Sequence, residues 1–188
     1  YRFALVFLGS RRSDYGAFRY QLPDNVVHFE EHYLYEHLNA DFQPAPRKGH
    51  AHAFDQVEQL IATMERTGAD SPQTMALFQQ VVRAMQPGGS MHLEDFLYSE
   101  RAWNLLCDVY RKHCTDPSFV DYFWTVRIMF QPLWLLARVA QGLIPVRAVH
   151  CASTGYAGFL GALLEQTRGT PLILSEHGIY TKERKIDL

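Results

Sequence analysis

Residues 146–175 read VRAVHCASTGYAGFLGALLEQTRGTPLILS. Two short apolar runs, Val146–Cys151 and Pro171–Ser175, have strand texture, and between them lies a turn followed by a helix that Gly169 closes. Apolar strands joined through a helix form a βαβ unit, because a parallel neighbour can be reached only by a crossover. The stretch therefore predicts a parallel sheet with helices on its faces: an α/β, Rossmann-like architecture.

Working outward, Arg2–Leu8 is β-branched and aromatic enough for a buried strand and ends at Gly9-Ser10, and a second strand is expected at about Val26–Phe29. Pro44, Pro46 and Gly49 mark a loop. From about Asp55 the period changes. Val57, Leu60, Ile61 and Met64 form one helical stripe, and Ser71-Pro72 has the pattern of an N-cap with proline at N1. Met75, Phe78, Val82 and Met85 continue until Pro87-Gly88-Gly89, and Trp103, Leu106, Cys107 and Tyr110 mark a third helix. Asp116-Pro117 opens a fourth, whose span Phe119–Val139 is apolar nearly all round and so is expected to be buried. The expected fold is one parallel sheet of four strands with a helical insertion over about 55–141.

Composition narrows the function. The 188 residues suit one domain, and 47% hydrophobic against 20% charged is a globular balance that excludes wholesale disorder. A formal charge of −2 argues against a polyanion surface, so nucleic acid is not an expected partner. Cys107, Cys114 and Cys151 make no CxxC pair, as expected of a reducing, cytoplasmic compartment. Cys107 and Cys114 fall two turns apart and are expected to be core thiols. The least charged stretch, Ile128–Ala137, contains Pro132 and is about half the length a spanning helix needs.

Parallel sheets bind ligands beyond the carboxyl ends of their strands. Here those ends carry His150, Ser153, Thr154 and Gly155 on one strand, and Glu176, His177 and Gly178 on the other. Gly155, Gly158 and Gly161 are spaced GxxGxxG, which is not a dinucleotide fingerprint. On a helix they share a face and allow close packing on the sheet, while Ser153-Thr154-Gly155 could turn N–H groups toward an anion. His28-Phe29-Glu30-Glu31-His32 fits the HxxEH zinc pattern, but that pattern needs a helix. Strand alternation would send His28 and Glu31 to opposite faces, which argues against zinc. His50 and His52 read as a solvated loop.

Together, VHCASTGYAGFLGALL and PLILSEHGIYTKERKIDL resemble the N-terminal domain of the Pel exopolysaccharide glycosyltransferases, the PelF-type retaining GT-B family, in which EHGIYTRER is the usual form of the motif. The resemblance extends over the whole chain. It implies two Rossmann-like domains facing across a cleft, this one presenting the acceptor and another holding a nucleotide sugar. It implies that the family's first strand and glycine-rich turn precede Tyr1, and that the donor-binding domain follows Leu188. Carried over, the catalytic position falls on His177, with Gly178 allowing close approach of the sugar. Glu176, Tyr180, Thr181 and Arg184 would line or brace the acceptor side, and Ser153, Thr154 and Gly155 would border the same cleft. The implied reaction moves a sugar from a UDP-linked donor to a growing exopolysaccharide without a metal or other cofactor, the fragment alone being inactive. Inner-membrane exopolysaccharide synthase subunits are implied partners.

Two other readings compete. One is a non-enzymatic α/β module whose helical insertion docks on a partner of the exopolysaccharide machinery. The other, a hydrolase on a Rossmann-like sheet, is weakened by the absence of a GxSxG elbow.

Overall fold

The computed structural model describes residues 1–36, 47–114 and 118–176. It is a mixed α/β structure of parallel strand pairs and helices, compatible with a Rossmann-like fold. In chain order come β1 (Phe3–Gly9), β2 (Val26–Tyr33), α1 (Ala51–Thr67), α2 (Pro72–Met85), α3 (Leu93–Tyr98) and α4 (Glu100–His113). There follow α5 (Phe119–Phe130), α6 (Pro132–Gly142), β3 (Val149–Cys151), α7 (Tyr156–Arg168) and β4 (Leu172–Leu174). The chain divides into two compact units: 1–33 with 142–188, and 34–141.

In the first unit β1 pairs β2 in parallel, setting Ala4 beside His28, Val6 beside Glu30 and Leu8 beside His32. Separately, β3 pairs β4, with Cys151 beside Leu174. The strands are parallel as expected, but among the described residues they form two pairs with no ladder between them instead of one continuous sheet of four. Apolar texture reports that a strand is buried on its faces, and it leaves open which edge finds a partner. Strand β2 also runs four residues past its expected end at Phe29.

The second unit is built on capped helices. Ser71 Oγ accepts from the Thr74 N–H at 3.1 Å, with Pro72 at the first helical position, as the sequence predicts. Ser99 and Ser118 cap α4 and α5 in the same way, at 3.1 and 3.3 Å. The core gathers Ala53 of α1, Ala84 of α2, Met91 from the α2–α3 connection and Trp134 of α6, and the Trp134 indole N–H donates to the Met91 carbonyl at 2.8 Å. Asp95 is buried, and Arg47 pairs with it at 3.1 Å.

Two helical expectations change. Phe119–Val139 is two helices, α5 and α6, meeting at Gln131-Pro132. Proline lacks the N–H that a continuing helix needs and its ring crowds the preceding turn. Moreover, α5 has no buried residue, whereas α6 buries seven. The short helix α3 went unseen, because six residues are too few for a period to show. Cys107 and Cys114 are half-buried and do not lie in the core, and His50 and His52 sit at the start of α1 instead of in a loop.

The Pro87-Gly88-Gly89 break matters for the core. Gly88 takes φ +82°, and the Met91 N–H returns to the Ala84 carbonyl at 2.9 Å, which drops Met91 beside Trp134. A Cβ on Gly89 would lie 2.2 Å from the Ala84 carbonyl oxygen, a backbone atom that cannot swing aside. Gly89→Ala is expected to cost about 1–3 kcal/mol, measured as a lowered denaturant midpoint. An unchanged midpoint would show that this turn is not what seats Met91.

Candidate functional site

The βαβ unit positions the predicted site. Gly155 has φ +72° and ψ −137°, a conformation that side chains other than hydrogen avoid, and it turns the chain from β3 into α7. Gly169 in the left-handed region closes α7, its N–H bonding the Glu165 carbonyl at 2.9 Å. Between them the glycine spacing does what the sequence suggests. A Cβ on Gly161 would fall 2.6 Å from Leu172 Cδ1 and 2.7 Å from Cys151 Sγ, and one on Gly158 would fall 3.3 Å from Leu174 Cδ1. The helix lies against both strands because these positions have no side chain.

Parallel pairing of β3 and β4 brings their carboxyl ends to one edge. The Ser175 N–H donates to the Cys151 carbonyl at 2.9 Å, carrying the pairing one residue further. His150 Nε2 and Ser175 Oγ lie 2.8 Å apart and link the two strands through their side chains. At that edge stand Ser153, Thr154 and Gly155 on one side and Glu176 on the other, with Ser153, Gly155 and Glu176 exposed. His177, Gly178, Tyr180, Thr181 and Arg184 lie outside the described residues.

Two features give this edge its chemistry. The N-cap of α7 is Gly155, which has no side chain to offer the first-turn N–H groups an acceptor. Thr154 Oγ1 is buried and has no hydrogen-bond partner among the described residues. Both favour an acceptor or an anion arriving from outside. Cys151 is a buried thiol: burial raises its pKa, and its Sγ donates to the Ala157 carbonyl at 3.1 Å.

Sequence reasoning missed several arrangements. Ser175, the partner of His150, drew no attention because a lone serine at a strand end carries no signal. On β2, alternation places His28, Glu30 and His32 on one face and Glu31 on the other. The Glu30 carboxylate bridges the two rings, 2.5 Å from His28 Nε2 and 2.8 Å from His32 Nε2. The hydrogen bond from His28 is the largest influence lowering the Glu30 pKa; burial opposes it, and His32 adds to it. Among the described residues no group of three or more histidine, cysteine, aspartate or glutamate side chains comes together in a way that could hold a metal ion. The i, i+2, i+4 spacing would have shown this row had the strand been carried to Tyr33.

The other face of β1 and β2 carries an aromatic cleft of about 430 Å³. Phe7, Tyr15 and Tyr33 form one group with ring centroids 5.1–6.2 Å apart, and Phe18 stands 5.2 Å from Phe29. Arg19 and Glu31 line it too, and Tyr20 is left largely exposed. These rings come from a polar-looking stretch and two strands, so no local period announces them.

The model of one family, the domain of unknown function DUF3492, matches residues 1–188. No curated protein and no solved structure matches the chain.

Proposed function

Because the chain belongs to the DUF3492 family, a domain found in the N-terminal region of GT-B glycosyltransferase-like proteins, we propose that it is the acceptor-side domain of a retaining glycosyltransferase. The finer reading is an enzyme of the Pel exopolysaccharide type that moves a sugar from a UDP-linked donor to a growing polysaccharide. The family match over all 188 residues is the observation that carries the proposal. The edge formed by β3 and β4 supports it, because the EHGIYTKER segment begins at Glu176, directly beyond that edge. The aromatic cleft also supports it. The C–H faces of sugar rings pack on the negative faces of aromatic rings, while Arg19 and Glu31 can bond hydroxyls.

Transfer breaks the bond between the sugar anomeric carbon and a diphosphate oxygen and forms one to an acceptor oxygen. Charge grows on the leaving diphosphate and on the oxocarbenium-like sugar, so oriented dipoles and hydrogen bonds matter more than a strong base. In this reading His177 touches the transferred sugar. In a full-length enzyme, His177→Ala is expected to lower turnover of a nucleotide sugar by about 10²-fold with folding intact. Near-normal turnover would leave His177 a structural residue, and no turnover by any full-length form would remove the enzymatic reading.

One observation favours a non-enzymatic interaction module instead. Val120, Trp124 and Ile128 recur every four residues along α5, and all are at least half exposed. A full-length protein that turns over no sugar yet needs this stripe to bind a partner would establish that alternative.

A further inference from the structure

The helical unit of residues 34–141 holds a cavity of about 330 Å³ between the end of α3, the start of α4 and α5. Phe96, Ser99, Glu100, Trp103, Phe123 and Arg127 are among its walls. Arg127 is unusual. Its guanidinium is half-buried, donates through Nη1 to the Leu97 carbonyl, and lies over the rings of Phe123 at 5.0 Å, Tyr98 at 5.5 Å and Trp124 at 6.0 Å. No carboxylate pairs with it among the described residues. Burial lowers its pKa from the ordinary arginine value, in the direction expected of a cation without an anionic neighbour.

A guanidinium carries five N–H donors, and among the described residues one oxygen, the Leu97 carbonyl, accepts from it. Withdrawing such a charge from water is costly unless an anion or several acceptors replace the lost hydration. The stacked rings recover part of that cost, because each offers a negative face to the cation. They cannot occupy the remaining in-plane donors, which need oxygen lone pairs. The first turn of α4 is not the source of the site, since Ser99 Oγ already caps it. Glu100 also lines the cavity, but it is exposed and beyond ion-pair distance of Arg127, so it stands at the rim.

We propose that this cavity is a binding site for a small organic anion: a carboxylate or phosphate held by Arg127 and carried on a flat, apolar body that packs against Trp103 and Phe123. The planar fork suits a two-oxygen group, and the aromatic walls suit a ring better than a bare ion. The site lies within the helical unit and is independent of the edge formed by β3 and β4.

The test uses the whole chain and three probes: benzoate, its neutral counterpart benzamide, and inorganic phosphate. Binding is read by tryptophan fluorescence and by titration calorimetry. Benzoate is expected to bind at least about tenfold more tightly than benzamide, the size of one charge-assisted hydrogen bond, and more tightly than phosphate. Arg127→Met should remove that preference, Arg127→Lys should keep part of it, and Glu100→Gln should tighten benzoate by lifting rim repulsion. Equal binding of benzoate and benzamide, or none of either, would overturn the proposal on the unaltered protein, whether or not the Arg127 variants fold. Phosphate binding as tightly as benzoate would overturn the aromatic-bodied ligand.

Discussion

Trp134→Ala is expected to destabilise the helical unit by about 3–5 kcal/mol, the usual cost of truncating a buried tryptophan. The ring is 9% exposed, stands 5.1 Å from Phe96, and is the largest side chain of a cluster otherwise made of Ala53, Ala84 and Met91. Two of those neighbours are alanines on α1 and α2, and Val57, Met85, Leu93, Phe96 and Leu133 pack on the cluster from outside, so how far these can move in sets the loss within that range. The loss also orphans the Met91 carbonyl, which accepts the indole N–H at 2.8 Å. Trp134→Phe separates the two contributions. It keeps most of the ring and removes the donor, and should cost about 1–3 kcal/mol, the penalty of an unsatisfied buried acceptor. Denaturant unfolding followed by far-UV circular dichroism measures both, and is preferable to fluorescence because the variants remove a fluorophore. If Trp134→Ala shifts the midpoint by less than Trp134→Phe, the cluster is not the core of this unit.

How much of this could be read beforehand depends on the range over which each signal acts. Capping is local: Ser71-Pro72 specifies its own helix start, and the structure has the bond at the expected place. The glycine spacing of α7 is likewise local, because a residue without Cβ permits close approach whatever lies opposite. Strand pairing is not local. Val6 and Glu30 are neighbours across a ladder, yet nothing around either names the other, and two parallel pairs satisfy the same apolar pattern as one sheet. Burial along Phe119–Val139 misled for a related reason. Pro132 is a local stop signal that the apolar run hides, and hydrophobic composition cannot say whether a neighbour exists to cover Val120, Trp124 and Ile128.

The sites follow the same division. Ser153–Gly155 and Glu176 could be placed together because the βαβ crossover fixes both strand ends to one edge. The Arg127 cavity could not, because it joins the end of one short helix to the start of the next and to a third helix. Its one sequence trace is an arginine inside an otherwise apolar helix, FVDYFWTVRIMF. Such a residue is more often carried outward on its flexible stem, and what sets this one apart is a half-buried guanidinium with no carboxylate beside it among the described residues.

Leu163→Ala is expected to cost about 2–5 kcal/mol, in the upper part of that range. Leu163 is 1% exposed, and together with Leu160 and Leu164 it forms the buried face of α7. The cost of a core truncation depends on how far the surroundings can collapse into the space left behind. Here collapse is limited, because Gly158 and Gly161 already bring the α7 backbone as close to β3 and β4 as their side chains allow. The cavity should therefore persist instead of closing. Leu163→Met, which nearly conserves volume, should cost less than about 1.5 kcal/mol and serves as the control. Each strand is only three residues long, so α7 supplies much of what holds them, and its first turn carries Ser153–Gly155 into place. Amide exchange at Val149 and Ser175, whose N–H groups donate to the Pro171 and Cys151 carbonyls, should accelerate in step with the global loss in Leu163→Ala and stay near the unaltered rate in Leu163→Met. A loss below about 1 kcal/mol with unchanged exchange would mean that the strands hold their edge without the helix, and that the candidate site does not depend on α7.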